Sequence, residues 1–260
     1  MTALVRAEWT KLFTTRVWIG LLLGACVLVA GFVVLFTSFA GSTPGGAQGG
    51  GPPGGLPAVG TEQFEQLVLA TGANVTVLFL ILGIIGMTQE YRHRTATPTF
   101  LTTPRRGRVV IAKLAAYALV AVPFALVVLA VNYGVAAVAA GARGAVPALS
   151  GENLQVLANS GLALVIYTVI GVGLGALVRN QVGAIVGGLV YLFVVEAIVR
   201  QISAIADAYK WLPGGALEAL TATLQGPDLL ERWQGGLLLL GYGLVAALLG
   251  TLLAVRRDVV

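Results

Sequence analysis

Six apolar stretches, each about as long as a membrane-crossing helix, constrain this chain more than any other feature. An apolar helix needs roughly 20 residues to cross about 30 Å of hydrocarbon. Because the chain is 57% hydrophobic and 10% charged, against about 25% charged in typical soluble domains, lipid must be the solvent for most of it. We therefore predict an all-α integral membrane protein with a single transmembrane domain over residues 1–260. Its six spans are residues 17–40, 67–87, 109–140, 154–178, 183–199 and 235–255.

The third stretch is the longest, so we expect it to tilt, to kink at Pro123 or to extend beyond the bilayer.

The basic residues are distributed unevenly between the two sides of this topology. With the N-terminus in the cytoplasm, 12 of the 16 Lys and Arg residues fall on the cytoplasmic side. They are Arg6, Lys11, Arg16, Arg92, Arg94, Arg105, Arg106, Arg108, Lys113, Arg179, Arg256 and Arg257, whereas the other side receives Arg143, Arg200, Lys210 and Arg232. This bias follows the positive-inside rule. It predicts a multi-pass protein of the bacterial inner membrane with both termini cytoplasmic, and it assigns the net charge of +5 to membrane flanks and not to nucleic-acid binding.

The segments outside the spans differ in character. Residues 1–16 carry Val5, Trp9, Leu12 and Phe13 at helical spacing, which favours an interfacial helix over a cytoplasmic extension of the first span. Glu8 lies near the edge of this apolar stripe and weakens it. Residues 41–60 are rich in Gly and Pro, so we expect a disordered external linker.

The loop between the second and third spans, residues 88–108, contains a short predicted helix. Thr97 can cap a helix that begins at Pro98, and Pro104 discourages its continuation. Such a helix would display Phe100 and Leu101 at the cytoplasmic surface. The chemistry leaves two interpretations open, a docking helix for a partner or an ordinary basic loop.

Residues 200–234, between the fifth and sixth spans, are interrupted at Pro213-Gly214-Gly215 and at Gly226-Pro227. Their apolar residues repeat at helical spacing, which predicts two short external helices before the last span.

The chain resembles the type-2 ABC-transporter permeases that include daunorubicin-resistance-like exporters. The resemblance covers nearly the whole chain and rests on the following residues: Arg6-Ala-Glu-Trp-Thr-Lys-Leu12, Glu90-x-Arg92, Thr95, Thr99, Phe100-Leu101, Thr103-Pro104, Lys113 and Trp211-Leu-Pro-Gly-Gly-Ala216. It implies that residues 88–108 carry a coupling helix that inserts into an ATPase subunit. The residues carried over to this role are Glu90, Pro98, Phe100, Leu101, Arg105 and Arg106. It further implies two permease subunits, identical or homologous, and two copies of a separate ATPase subunit that binds ATP and Mg²⁺.

The chain itself has no recognisable catalytic, cofactor or metal site. Its three lysines are followed by Leu12, Leu114 and Trp211, so none belongs to a Walker phosphate loop. The single histidine, His93, excludes any site that needs two imidazoles. We expect no enzyme activity and no cofactor in this chain.

Neutral polar residues in the spans are the candidates for a substrate path. Asn74, Asn132 and Asn159 could line such a path, although interhelical hydrogen bonding is the commoner use of such groups. Glu196 lies four residues before Arg200, which favours an outer-surface ion pair over a proton relay. Gly171 and Gly175 allow close helix approach, either inside one subunit or between two.

The resemblance thus implies a permease subunit of an ABC exporter, and the largely uncharged spans suit a hydrophobic or amphipathic substrate, such as a drug, an antibiotic or a lipid-like molecule. Two alternatives stay open. One is a secondary transporter, which would usually place ionisable groups or broken helices near mid-membrane. The other is a non-transporting membrane assembly or scaffold protein.

Overall fold

The computed structural model describes residues 2–41, 55–92, 106–202, 205–221 and 229–256. Their regular secondary structure is helical throughout, without strands. Six helices in these ranges are long and apolar enough to cross a membrane, which confirms the predicted number of spans.

The first three spans come after a short N-terminal helix. Helix α1 is Thr2–Thr14, and α2, Val17–Phe39, is the first span. The second span consists of α3 (Glu62–Ala70), a 3₁₀ segment (Thr71–Val75) and α4 (Thr76–Arg92). The third is α5, Arg106–Gly141.

The remaining elements continue in the same order. The fourth span is α6, Gly151–Val178, and the fifth consists of α7 (Gln181–Val190), a π-helical turn (Tyr191–Val195) and α8 (Glu196–Gln201). A 3₁₀ segment, Ala206–Trp211, and α9, Pro213–Thr221, precede the sixth span, α10, Arg232–Arg256.

The predicted spans overlap these helices, but two details differ. The second span begins earlier than predicted, at Glu62, and is interrupted by the 3₁₀ segment. Helix α5 continues through Pro123 for 36 residues. At 1.5 Å per residue it is about 54 Å long, which exceeds the hydrocarbon thickness of a bilayer.

The second and fourth spans form the centre of the bundle. A Cβ atom on Gly83 of α4 would lie 2.1 Å from the carbonyl oxygen of Thr168, and one on Gly171 of α6 would lie 2.1 Å from that of Leu80. Only glycine permits this backbone approach. Gly171 therefore serves packing within the chain. In the most apolar stretch of the second span 72% of the residues are buried inside the protein, against 17% in the first and the fifth spans.

Polar contacts join the N-terminal turns of α3, α6 and α10 at one end of the bundle. Glu65 of α3 accepts a 2.6 Å hydrogen bond from Asn153 of α6, and Glu152 pairs with Arg232 of α10 at 3.2 Å. We call this the α9 end, because α9 packs beside it against α10 and α6. At the opposite α1 end, helix α1 packs on the first turns of α5.

Candidate functional site

The α1 end contains a cluster of charged side chains contributed by three helices. The buried face of α1 carries Val5, Glu8 and Leu12, which repeat at i, i+3 and i+7 and pack towards α5. Trp9 on the neighbouring face donates a 3.2 Å hydrogen bond from its indole Nε1 to the carbonyl oxygen of Ala116. Helix α1 is thereby fixed against α5, and the Glu8 side chain points into the protein.

Four of these side chains form a closed ring of alternating charge, which we call the charge ring: Glu8, Lys11, Glu90 and Lys113. The Lys11 ammonium lies 2.7 Å from Oε1 of Glu8 and 2.7 Å from Oε1 of Glu90. The Lys113 ammonium lies 2.5 Å from Oε2 of Glu8 and 3.2 Å from the same Glu90 oxygen. Each charge therefore has two neighbours of opposite sign, and the ring is electrically neutral.

Lys113 is the most buried member of the charge ring. Its side chain has no solvent-accessible surface, and its ammonium also approaches the carbonyl oxygen of Gly86 at 3.3 Å. Glu8, Glu90 and Gly86 thus provide three acceptors, which match the three donors of an ammonium group. A buried charge is tolerated when it is both paired and hydrogen-bonded. This arrangement explains how a lysine occupies the interior of an apolar helix bundle.

Gly86 makes room for the charge ring. A Cβ atom at this position would lie 2.1 Å from Cζ of Tyr117, whose ring covers the glycine. Any side chain here would displace the tyrosine ring and the helix that carries it. The same glycine leaves its carbonyl oxygen accessible to Lys113.

Lys11 closes the charge ring on the more exposed side. Partial burial lowers the pKa of Lys11, but the hydrogen bonds and the negative charges of Glu8 and Glu90 outweigh this effect, so its pKa lies above the usual value. Lys11 is therefore charged at physiological pH. Both carboxylates of the charge ring are engaged by lysines, and these contacts hold α1, α4 and α5 together.

Charge-ring members lie on both helices that flank residues 93–105. Glu90 is near the end of α4, and Lys113 is in the second turn of α5. Glu8 and Lys11 tie both of them to α1. Removing one partner from a buried ion pair typically costs about 3–5 kcal/mol, because the other charge is left uncompensated. The charge ring therefore fixes the separation of the two ends of this segment.

The predicted coupling residues are divided by this geometry. Glu90 is buried in the charge ring, so its contacts are inside the chain. Arg106 is the first residue of α5. Pro98, Phe100, Leu101 and Arg105 lie outside the described residues, and the coupling helix stays a prediction.

The predicted substrate-path residues have three different environments. Asn132 is fully buried and donates 3.2 Å hydrogen bonds to the carbonyl oxygen of Leu69 and to Oγ1 of Thr71. Asn159 donates a 2.9 Å bond to the carbonyl oxygen of Leu220. Both serve interhelical hydrogen bonding, the alternative use of such groups. Asn74 is the exposed member of the set.

The predicted outer-surface pair of Glu196 and Arg200 is wrong. Arg200 pairs with Glu218 of α9 at 2.9 Å. Glu196 is buried and accepts a 3.1 Å hydrogen bond from the backbone N–H of Gly214. The two residues lie one turn apart as expected, but α9 offers each of them a better partner.

Sequence reasoning missed the charge ring, although signals for it were present. Lys113 interrupts an apolar run, and Glu8 interrupts the apolar stripe of α1. An ionisable residue in an apolar segment requires a partner of opposite charge. Glu8 and Lys11 are also three residues apart, the spacing of neighbours on one helix face. Glu8 and Lys113 are 105 positions apart in the sequence, so no local sequence pattern indicates that they are in contact.

Within the described ranges, no group of three or more His, Cys, Asp or Glu side chains is placed to hold a metal ion. No protein-family model matches the chain. No curated protein is significantly similar to it.

Proposed function

We propose that this chain is the membrane-spanning permease subunit of an ATP-driven ABC exporter. It moves a hydrophobic or amphipathic substrate by alternating access together with a separate ATPase subunit. The observation that carries the proposal is the charge ring, which ties α1 to the two helices flanking residues 93–105.

The charge ring suits mechanical coupling. A force applied to residues 93–105 by a partner reaches α4 and α5 along the chain, and the ion pairs of Glu90 and Lys113 couple these helices to each other and to α1. Discrete, tightly packed elements transmit such motion, because packed cores do not deform continuously. In this proposal Glu90 is a positioning residue, and the surface that meets the ATPase belongs to residues 93–105.

The incompletely covered face of the second span supplies a candidate substrate path. Asn74 is exposed, and Ile81, Ile85 and Gln89 are partly exposed along the same side of the helix. Ile81, Ile85 and Gln89 recur every four residues on α4, and Asn74 lies seven positions before Ile81. Together they form one stripe that is apolar in the middle with an amide near each end. The stripe lies on a helix that packs against α2 and α7. An uncharged surface of this kind suits amphipathic or lipid-like cargo.

The proposed working unit contains two permease subunits, identical or homologous, and two ATPase subunits. ATP and Mg²⁺ bind in the ATPase subunits, and this chain is not itself an enzyme. Its location in the proposal is the bacterial inner membrane, with both termini in the cytoplasm.

Co-purification from the native host tests this proposal. The tagged chain, extracted in mild detergent and again in polymer-bounded lipid discs, should retain an ATPase subunit that contains a Walker motif. The complex should hydrolyse ATP, whereas the chain alone in lipid should not. Turnover by the isolated chain, or the absence of any ATPase from both preparations, would contradict the assignment.

Two observations favour a second candidate, a secondary transporter. The 3₁₀ segment interrupts the second span, and Glu196 is a buried carboxylate in the fifth span. Broken helices and intramembrane carboxylates are typical of ion-coupled carriers. Such a carrier would co-purify without an ATPase, and its transport would depend on an imposed ion gradient.

A further inference from the structure

A second polar cluster lies at the α9 end, opposite the charge ring. Glu196, the first residue of α8, accepts the backbone N–H of Gly214 in the first turn of α9. One turn further along α8, Arg200 forms an ion pair with Glu218 of α9 at 2.9 Å. We call these two contacts the α8–α9 clasp.

The start of α9 is shaped to accept the Glu196 carboxylate. A Cβ atom on Gly214 would lie 1.8 Å from Oε2 of Glu196, and one on Gly215 would lie 2.1 Å from the carbonyl oxygen of Tyr209. The Pro213-Gly-Gly sequence therefore leaves the first N–H groups of α9 open to the carboxylate. A negative charge at a helix N-terminus is stabilised by the helix dipole.

The second contact of the α8–α9 clasp includes an aromatic ring. The guanidinium of Arg200 lies 5.3 Å from the centre of the Tyr209 ring, and the Tyr209 hydroxyl hydrogen-bonds Glu218. Burial and the charge of Glu218 raise the pKa of Tyr209, so this hydroxyl stays protonated as a donor. Arg200 is thus engaged by Glu218 and Tyr209, and among the described residues Glu196 has no cationic partner.

The other side of α9 is held by a different kind of interface. A Cβ atom on Gly235 of α10 would lie 2.7 Å from the carbonyl oxygen of Ala216. Leu220 packs with Leu239 in a buried apolar cluster, and its carbonyl oxygen accepts from Asn159. This side is close-packed and mainly apolar, and separating it would expose that surface and leave voids.

The two sides of α9 therefore differ in how readily they part. Water can replace the partners of a polar contact, so the groups that separate form new hydrogen bonds to solvent. Glu196, which is buried without a counter-ion in the described part of the chain, regains hydration when the contact opens. The π-helical turn Tyr191–Val195 immediately precedes Glu196, and such turns recur at functional positions in helices.

We propose that α9 is a hinged flap that stays attached to α10 and opens away from the fifth span by releasing the α8–α9 clasp. Its opening at the α9 end releases cargo. The release step rests on the proposed exporter function, whereas the flap itself depends only on the contacts of this chain.

Hydrogen–deuterium exchange of the chain alone in lipid nanodiscs tests the flap. Gly214→Ala must displace the Glu196 carboxylate, so amide exchange in α9 should accelerate on the order of tenfold, the size expected for losing a hydrogen bond to a charged group. Glu196→Gln should accelerate it less. Gly241→Ala is the matched control, because a Cβ atom there meets nothing within 4 Å.

If α9 opens as a flap, the faster exchange should be confined to α9, while the amides of α6 and α10 stay protected from exchange. The double variant Arg200→Glu with Glu218→Arg should restore slower exchange than Arg200→Glu alone. Exchange that is equal in Gly214→Ala and Gly241→Ala would overturn the flap, as would acceleration spread over α6 and α10.

A second measurement tests the link to transport in the complex with the co-purified ATPase. Exchange in α9 should differ severalfold between the nucleotide-free complex and the complex trapped with ATP and vanadate. In a Cys26→Ala background, a reducible bis-methanethiosulfonate link between Arg200→Cys and Glu218→Cys should abolish that difference, and reduction should restore it. A complex that hydrolyses ATP with identical α9 exchange in both states would overturn the release role. Failure to find any ATPase would count against the exporter proposal. The flap would then be tested by the exchange of the chain alone in nanodiscs.

Discussion

The ammonium of Lys113 and the carboxylate of Glu8 lie 2.5 Å apart, although 105 positions separate them in the sequence. This contact joins the N-terminal helix to the first turns of the third span. Because Lys113 has no exposed surface, the pair is protected from solvent screening in a way that surface ion pairs are not. Helix α1 is held to the third span by this pair, and Glu90 completes the connection to the second span.

Lys113→Ala should be among the most destabilising single changes in the chain. It leaves Glu8 and Glu90 as buried carboxylates that share one remaining lysine, a loss of about 3–5 kcal/mol. The variant should unfold at a clearly lower temperature in detergent, as measured by tryptophan fluorescence. The exchange of Glu8→Lys with Lys113→Glu should not recover the loss, because it would place two positive charges side by side at positions 8 and 11 and two negative charges at positions 90 and 113. Equal thermal stability of Lys113→Ala and wild type would contradict the burial of this charge.

Gly86→Ala should disturb the charge ring without altering any charge. The added methyl group would lie 2.1 Å from the Tyr117 ring, and overpacking of this kind costs about 1–3 kcal/mol. Gly20→Ala is the control, since a Cβ atom there meets nothing within 4 Å. A Gly86→Ala protein as stable as Gly20→Ala in the same thermal assay would show that α4 and α5 are further apart than described.

The contribution of Lys11 should depend on pH at the alkaline end. Its pKa in the folded protein is raised, so its stabilisation is fully present below its unfolded value of about 10.4. That stabilisation is lost as pH rises through the folded value. Lys11→Arg keeps its charge to higher pH. The stability of the wild type relative to Lys11→Arg should therefore fall above about pH 10.4, and a constant difference up to pH 11.5 would argue against the ion pairs of Lys11.

The orientation of the chain should be visible by cysteine labelling in a Cys26→Ala background. The excess of basic residues on one side predicts that cysteines at Gly50 and Gly226 react with an impermeant maleimide in intact cells. A cysteine at Gly107 should react only after permeabilisation. Labelling of position 107 in intact cells would reverse the topology.

The number of spans could be predicted from the sequence because membrane crossing depends on local hydrophobicity and length. The presence of α1 followed from the spacing of Val5, Trp9 and Leu12. That this helix lies in the membrane interface stays a prediction. The 3₁₀ segment was not predictable, because its hydrogen-bond partner, Asn132, comes from a different span.

The contacts of the charged residues were the least predictable part. Glu196 and Arg200 have the spacing of a helical ion pair, yet each is paired with α9. Local spacing indicates which partners are possible, whereas the competing partner from another helix is known only once the chain is folded. Lys113 was assigned to a basic flank for the same reason, since its two carboxylate partners are 23 or more positions away.

We propose that residues 93–105 dock on an ATPase, with Phe100 and Leu101 in the apolar centre of the interface. Phe100→Asp would place an unpaired carboxylate there, and truncating such a central side chain alone typically costs about 2 kcal/mol or more. Thr102→Asp adds the same charge two positions away, where a helical residue does not share a face with Phe100. Arg105 and Arg106 should matter less and in a salt-dependent way, because exposed pairs contribute about 1 kcal/mol or below.

Co-purification of the ATPase with tagged wild-type, Phe100→Asp and Thr102→Asp chains tests the docking of this segment. All three chains should be extracted from the membrane in equal amounts, because residue 100 lies outside the predicted spans. We expect the wild type and Thr102→Asp to retain the ATPase and Phe100→Asp to lose it. Retention of the ATPase by Phe100→Asp at the wild-type level would contradict the coupling role of this segment.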